Sequence, residues 1–183
     1  MHYSTGNIMD YIGRVSAICI TTNGFVKSNG ECVMGRGIAK QFADKYPHIP
    51  KLLGDSIKAK GNNVNIITSI SGTDIVSFPV KPISVELVHE SYRDKIVKHA
   101  QHKFNVGDRI PGFYCKAYPY LIQQSCKQLK DIISNYKFIV MPLLGSGAGE
   151  LSFKKDVEPI ITEYFKDNNN IYVMSFNESD FTK

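Results

Sequence analysis

The sequence predicts an α/β fold, a three-layer sandwich with helices on both faces of a central sheet, in one domain spanning residues 1–183. Three observations predict it. Short runs rich in Val, Ile and Phe alternate with longer runs of helical periodicity. Two of the strand-like runs lead straight into glycine-rich loops. A chain of 183 residues, 43% hydrophobic and 21% charged, is also long and apolar enough for one domain with a sizeable core.

The strand-like runs are 15–21, 64–69, 75–78, 138–142 and 171–176. After Gly37, the residues Ile38, Ala39, Phe42, Ala43 and Tyr46 fall at helical spacing, and Pro47 stops the run. Pro119 opens a second helix, with Leu121, Ile122, Cys126, Leu129, Ile132 and Ile133 on one face. A third places Val157, Ile160, Ile161, Tyr164 and Phe165 together before Asn168, Asn169 and Asn170 end it. The stretch 84–115 is rich in charge and His and weakly periodic, so it is expected as an insertion or long excursion beside a site.

No run approaches the ~18 apolar residues of a membrane-spanning helix. Residues 1–10 lack a basic patch followed by an apolar segment, so no signal peptide is expected and a cytoplasmic location follows. Cys19, Cys32, Cys115 and Cys126 form no C-x-x-C pair and read as buried or incidental thiols in a reducing compartment. His99 and His102, flanked by His89 and Cys115, have zinc-compatible spacing, but Lys98, Gln101 and Lys103 around them point to a solvated basic face. No metal and no cofactor are expected. The net charge of +5 suits anionic ligands, nucleotide or nucleic acid alike, and equally describes a solvated basic surface.

Two stretches carry the chemistry. The first runs from Thr21, Thr22, Asn23 and Gly24 to Gly35, Arg36, Gly37 and Ile38. Glycines there let backbone approach a ligand, and the helix start offers free N–H groups to phosphate; a tight strand-to-helix turn is the plainer alternative. The second is Gly145, Ser146, Gly147, Ala148 and Gly149, a nest of N–H donors or a merely flexible loop. Neither matches the dinucleotide-binding fingerprint or the P-loop. Together they suggest a crevice at a sheet edge that holds a diphosphate.

At these residues the chain resembles the macro domain family. The two loops, the run Ser77, Phe78, Pro79, Val80 and Lys81, and Gly6, Asn7 and Ile8 match in order. The match is with the bacterial and phage branch that processes ADP-ribose-1″-phosphate or removes ADP-ribose from DNA bases and protein carboxylates. The resemblance implies an α/β/α sandwich around a mixed sheet of about six strands. It implies ADP-ribose, or an ADP-ribosylated nucleic acid or protein, as the partner; separately, no membrane association and a monomeric protein are expected. It implies that Asn23 bonds the distal ribose, and that Gly35, Gly37 and Ile38 pack on the diphosphate and ribose. Gly145, Ser146, Gly147 and Ala148 wrap the diphosphate, while Asn7 and Ile8 meet adenine. Thr21, Thr22, Gly24 and Gly149 complete the pocket. Phe176 stacks on the base or is a core aromatic at a strand end.

The resemblance also implies that Lys81 attacks the anomeric carbon, which needs a neutral amine. A strand-capping surface lysine and an electrostatic contact remain alternatives. Pro79 is expected to end regular ladder pairing before it. Asn7 stands where the family has Asp, and its amide oxygen is expected to accept from adenine. Gly149 stands where some family hydrolases carry a catalytic Asp, and Glu150 is the substitute or is simply exposed. The expected function is therefore binding of ADP-ribose with hydrolysis of an ADP-ribosyl bond or a 1″-phosphate. A non-catalytic binding or sequestering module and a nucleic-acid-binding protein are the alternatives.

Overall fold

The strand Ala17–Asn23 carries no charge and is buried along almost its whole length, so both its faces must be covered. Ala17 and Cys19 enter one core cluster, Ile18 and Ile20 another, on the opposite side of the sheet. The computed structural model describes residues 1–183. Its strands are β1 (His2–Thr5), β2 (Ala17–Asn23), β3 (Asn65–Ile70), β4 (Thr73–Lys81), β5 (Ser84–Glu86), β6 (Arg109–Pro111), β7 (Ile139–Pro142) and β8 (Ile171–Ser175). Six of them form the central sheet in the order β1-β8-β7-β2-β4-β3. Only β3 runs antiparallel to its neighbour, so the sheet is mixed, as expected.

Helices α1 (Gly37–Lys45) and α2 (Ile49–Lys60) cover one face through Ile38, Phe42, Ile49 and Leu53. Helices α3 (Pro119–Ile132) and α4 (Glu158–Phe165) cover the other through Ile122, Leu129, Ile161 and Phe165. The predicted three-layer sandwich is the observed one. No helix is long and apolar enough to cross a membrane.

Several elements escape the sequence pattern. β1 is four mostly exposed residues at a sheet edge, too short and polar to show a period. α2 hides behind Pro50 and Gly54, two residues that normally argue against a helix. Pro50 occupies its first turn, where no N–H is needed. A Cβ at Gly54 would lie 2.0 Å from the Gly30 carbonyl oxygen, so glycine is what allows α2 to pack there. Pro79 does not end the ladder: β4 continues to Lys81, and the register shifts instead at Thr22 and Asn23 on the partner strand. The Ser125 hydroxyl donates to the Pro79 carbonyl at 2.7 Å and keeps that backbone satisfied.

Residues 84–115 form the antiparallel ribbon β5–β6 and short 3₁₀ helices, among them Glu90–Lys95, Lys98–Lys103 and Gly112–Tyr114. They bury a small core of Leu87, Ile96, Val97, Ala100, Ile110 and Cys115. This excursion leaves the sheet just after Lys81 and is tied back to it, with the Tyr118 N–H donating to the Val80 carbonyl at 2.9 Å.

Candidate functional site

β2, β4, β7 and β8 are mutually parallel, so their C-terminal ends meet at one edge of the sheet. Both glycine loops leave from that edge, one after β2 and one after β7. Between them lies a cavity of about 650 Å³. Its wall combines the first loop and the start of α1, the second loop, the turn after β1 and the excursion. Parallel strands commonly place ligand sites at this edge, because the loops there are free to diverge while the strands stay fixed.

A Cβ at Gly35, Gly37 or Gly147 would meet nothing within 4 Å, so all three backbones face open cavity rather than packed side chains. Gly37 begins α1, whose unpaired N–H groups therefore open onto the same space. Ile38, Gly145, Ser146, Ala148 and Gly149 line the cavity too. Thr21, Thr22 and Asn23 reach it from the end of β2. The Thr22 and Ser146 hydroxyls are buried there without a hydrogen-bond partner, which costs free energy unless a ligand or solvent group meets them.

Asn23 is buried and already at work. Its amide nitrogen donates to the Val33 carbonyl at 2.8 Å and its oxygen accepts from the Phe25 N–H at 3.0 Å, pinning the first loop. One proton and one lone pair remain for a ligand. At the opposite end, Phe176 lines the cavity with 62% of its surface exposed, which excludes the core-aromatic alternative. Ile8, just after the turn that follows β1, is buried and lines the cavity too.

Lys81 ends β4 with only 9% of its surface exposed. Its Nζ crosses the cavity and donates to the Ala148 carbonyl of the second loop at 2.8 Å. Burial, opposed by Cys115 and Glu150 and reinforced by Arg36, brings its pKa down to about 8. The surface-lysine alternative is excluded by this burial.

Gly24 and Glu150 depart from expectation, and Asn7 and Gly149 gain a packing role. Gly24 is not at the cavity: a Cβ there would lie 2.4 Å from Ile83 Cγ1, so Gly24 is a packing residue against the start of the excursion. The Asn7 oxygen accepts from the Met9 N–H at 3.0 Å and caps a short helix, which leaves it one lone pair at the cavity that Asn7 lines. Gly149 cannot be replaced by an acid in this geometry, because a Cβ would lie 2.3 Å from the Gly145 carbonyl oxygen. Glu150 does not face the cavity. One of its oxygens accepts from the Lys98 N–H at 2.9 Å and the other lies 3.9 Å from Lys116 Nζ, which ties the second loop to the excursion.

The excursion adds residues to the wall: His99 and Lys103, read from sequence as a solvated basic face, and Phe113 and Tyr114, which no local pattern marks, line the cavity, with Met34 and Arg36 on the first loop. Phe113 packs edge-on against Phe25 with ring centres 5.2 Å apart. Arg36 Nη2 lies 3.1 Å from His99 Nε2.

No protein-family model and no curated protein sequence matches the chain. Solved structures do. The macrodomain of Mycobacterium tuberculosis DarG superposes with a TM-score of 0.63 at 20% identity, covering 94% of this chain and 95% of that one. The macrodomain of Thermus aquaticus DarG gives 0.62 at 20% identity, over 96% and 97%. Thermosipho africanus DarTG, solved in complex with ADP-ribose, gives 0.60 at 16% identity, over 94% of this chain and 41% of that one. The fold is that of a macrodomain.

Proposed function

We propose that this macrodomain fold binds ADP-ribose across the cavity and hydrolyses the bond at its distal ribose, with Lys81 as the nucleophile. The observation that carries the proposal is the buried Lys81 amine, held at the meeting point of β4 and the second glycine loop. Length agrees with the ligand. From β8, which leads to Phe176, to β4, which ends in Lys81, there are three strand spacings, or about 14 Å. Adenine then lies at Phe176 and Ile8, the diphosphate between Gly35, Gly37 and Gly147, and the distal ribose at Asn23 and Lys81. The complex of Thermosipho africanus DarTG with ADP-ribose supports this choice of ligand.

With a pKa of about 8, roughly a tenth of Lys81 is neutral at pH 7. The neutral amine attacks C1″. The bond from C1″ to the carried group breaks, its electron pair leaves with that group, and the proton shed by nitrogen goes to it. Opening of the ribose ring moves the C1″–O4″ pair onto oxygen, which takes the remaining N–H proton, and leaves an imine on Lys81. Water then adds at C1″ and releases ADP-ribose and the free amine. The carried group is a nucleic-acid base, a protein side chain or a 1″-phosphate. The four unpaired, buried cysteines suit a reducing compartment such as the cytoplasm.

The test is incubation with ADP-ribosylated DNA, RNA and protein and with ADP-ribose-1″-phosphate. Lys81→Ala is expected to keep binding and lose turnover by ~10²-fold or more, and borohydride is expected to trap ADP-ribose on wild-type Lys81. Tight ADP-ribose binding with no turnover of any substrate favours a second function, a sequestering module. Two observations support that alternative: no acid fits at Gly149, and Glu150 is turned from the cavity.

A further inference from the structure

Three side chains in the cavity have no task in the chemistry above. Arg36 stands on the first glycine loop, and His99 and Lys103 stand on the 3₁₀ helix Lys98–Lys103 of the excursion. The Arg36 guanidinium has no acceptor, so the His99 Nε2 that faces it at 3.1 Å must be the unprotonated nitrogen. Lys103 Nζ lies 5.1 Å from the centre of the Tyr114 ring, another cavity residue. No ion pair of the protein includes Arg36, His99 or Lys103. Glu150 is the acid nearest in effect, but one of its oxygens is occupied by the Lys98 N–H.

Their place in the cavity decides what they meet. The excursion leaves the sheet directly after Lys81 and returns to Val80, on the β4 side, while adenine in the proposed orientation lies on the β8 side. A group attached at C1″ therefore projects toward this cluster. A planar guanidinium, an imidazole and an ammonium from two separate elements line that part of the cavity, and none of them is ion-paired to a carboxylate. Such a set suits a tetrahedral oxyanion with several acceptor oxygens. We propose that Arg36, His99 and Lys103 form an anion subsite for a phosphate carried on the far side of the distal ribose, beyond the diphosphate of ADP-ribose itself. The inference rests on the binding orientation proposed above, and it makes the excursion a specificity element. A 1″-phosphomonoester and the phosphodiester flanking an ADP-ribosylated base share the required chemistry.

The protonation state supplies a signature. Partial loss of hydration lowers the His99 pKa, and Arg36, Lys103 and Lys81 lower it further, while Glu150 opposes them. A phosphate among these groups raises it again, so binding near pH 6.5 takes up a proton at His99.

The experiment is calorimetry on Lys81→Met protein, which lacks the nucleophile, with ADP-ribose, ADP-ribose-1″-phosphate, an ADP-ribosylated oligonucleotide and an ADP-ribosylated glutamyl peptide. At least one phosphate-bearing ligand is expected to bind about tenfold or more tighter than ADP-ribose, and which one does identifies the source of the phosphate. His99→Gln and Lys103→Met, each added singly, are expected to remove that advantage and to change ADP-ribose affinity less than about twofold, while Arg36→Gln, on the diphosphate loop, is expected to weaken the phosphate-bearing ligand at least about tenfold more than ADP-ribose. Titration in two buffers of different ionisation enthalpy is expected to show proton uptake with the phosphate-bearing ligand, absent after His99→Gln. The inference is overturned if the peptide ligand binds as tightly as the phosphate-bearing ones. It is equally overturned if the His99 and Lys103 variants weaken ADP-ribose as much as the phosphate-bearing ligands, since the cluster then reads the diphosphate. Failure of ADP-ribose to bind at all overturns the proposed function as well.

Discussion

Replacing Lys81 by Met tests the buried amine without any substrate. Met fills nearly the same volume and cannot carry charge. Moving a lysine from its ordinary 10.5 to about 8 corresponds to about 3 kcal/mol of penalty for holding the ammonium in the folded protein below pH 8. Met removes that penalty and also loses the donor to Ala148, a bond worth ~1 kcal/mol. The net expectation at pH 7 is a variant more stable than wild type by about 2 kcal/mol. The sign reverses with pH. Between pH 8 and 10.5 the unfolded lysine binds more protons than the folded one, so wild-type stability rises relative to the variant over that window. Above it only the lost hydrogen bond remains, and the variant is expected to be slightly the less stable protein. Urea denaturation of both proteins at pH 7 and pH 10 measures this, and groups common to the two cancel in the difference. A variant less stable than wild type at pH 7, or a difference that does not change with pH, refutes the depressed amine and with it the case for Lys81 as a nucleophile near neutrality.

Three other outcomes follow from the geometry. Gly147→Val places its side chain in open cavity, so stability is expected to move by less than about 0.5 kcal/mol while ADP-ribose affinity falls ~100-fold; matched denaturation and calorimetry check the pair. Gly149→Ala meets the Gly145 carbonyl oxygen at 2.3 Å and is expected to cost about 1–3 kcal/mol in a thermal melt, whereas an unchanged melting temperature shows that the loop relaxes. For turnover, kcat/KM is expected to rise about tenfold per pH unit up to about pH 8 and then level, because the deprotonated Lys81 is the active form; a flat profile from pH 6 to 9 contradicts that.

The layered fold and the place of the lysine are legible in the sequence because they rest on local pattern. Ile18, Ile20, Phe42 and Ile122 announce their faces by a period of two or of three to four residues. Two glycine loops behind apolar strands locate the ends of β2 and β7, and parallel pairing then brings those ends to one edge. Elements with little periodic burial, such as β1 and the ribbon β5–β6, left no such trace. The partners of individual polar groups are a different kind of information. Nothing near Asn7 says that its oxygen will cap Met9, and nothing near Glu150 says that it will turn to Lys98, 52 residues away. Arg36 and His99 stand 63 residues apart and belong to one site only because the excursion folds over the first loop. Burial of a face is encoded in neighbouring residues, but a hydrogen bond or a shared cavity wall depends on where distant backbones come to rest, and that only the tertiary structure decides.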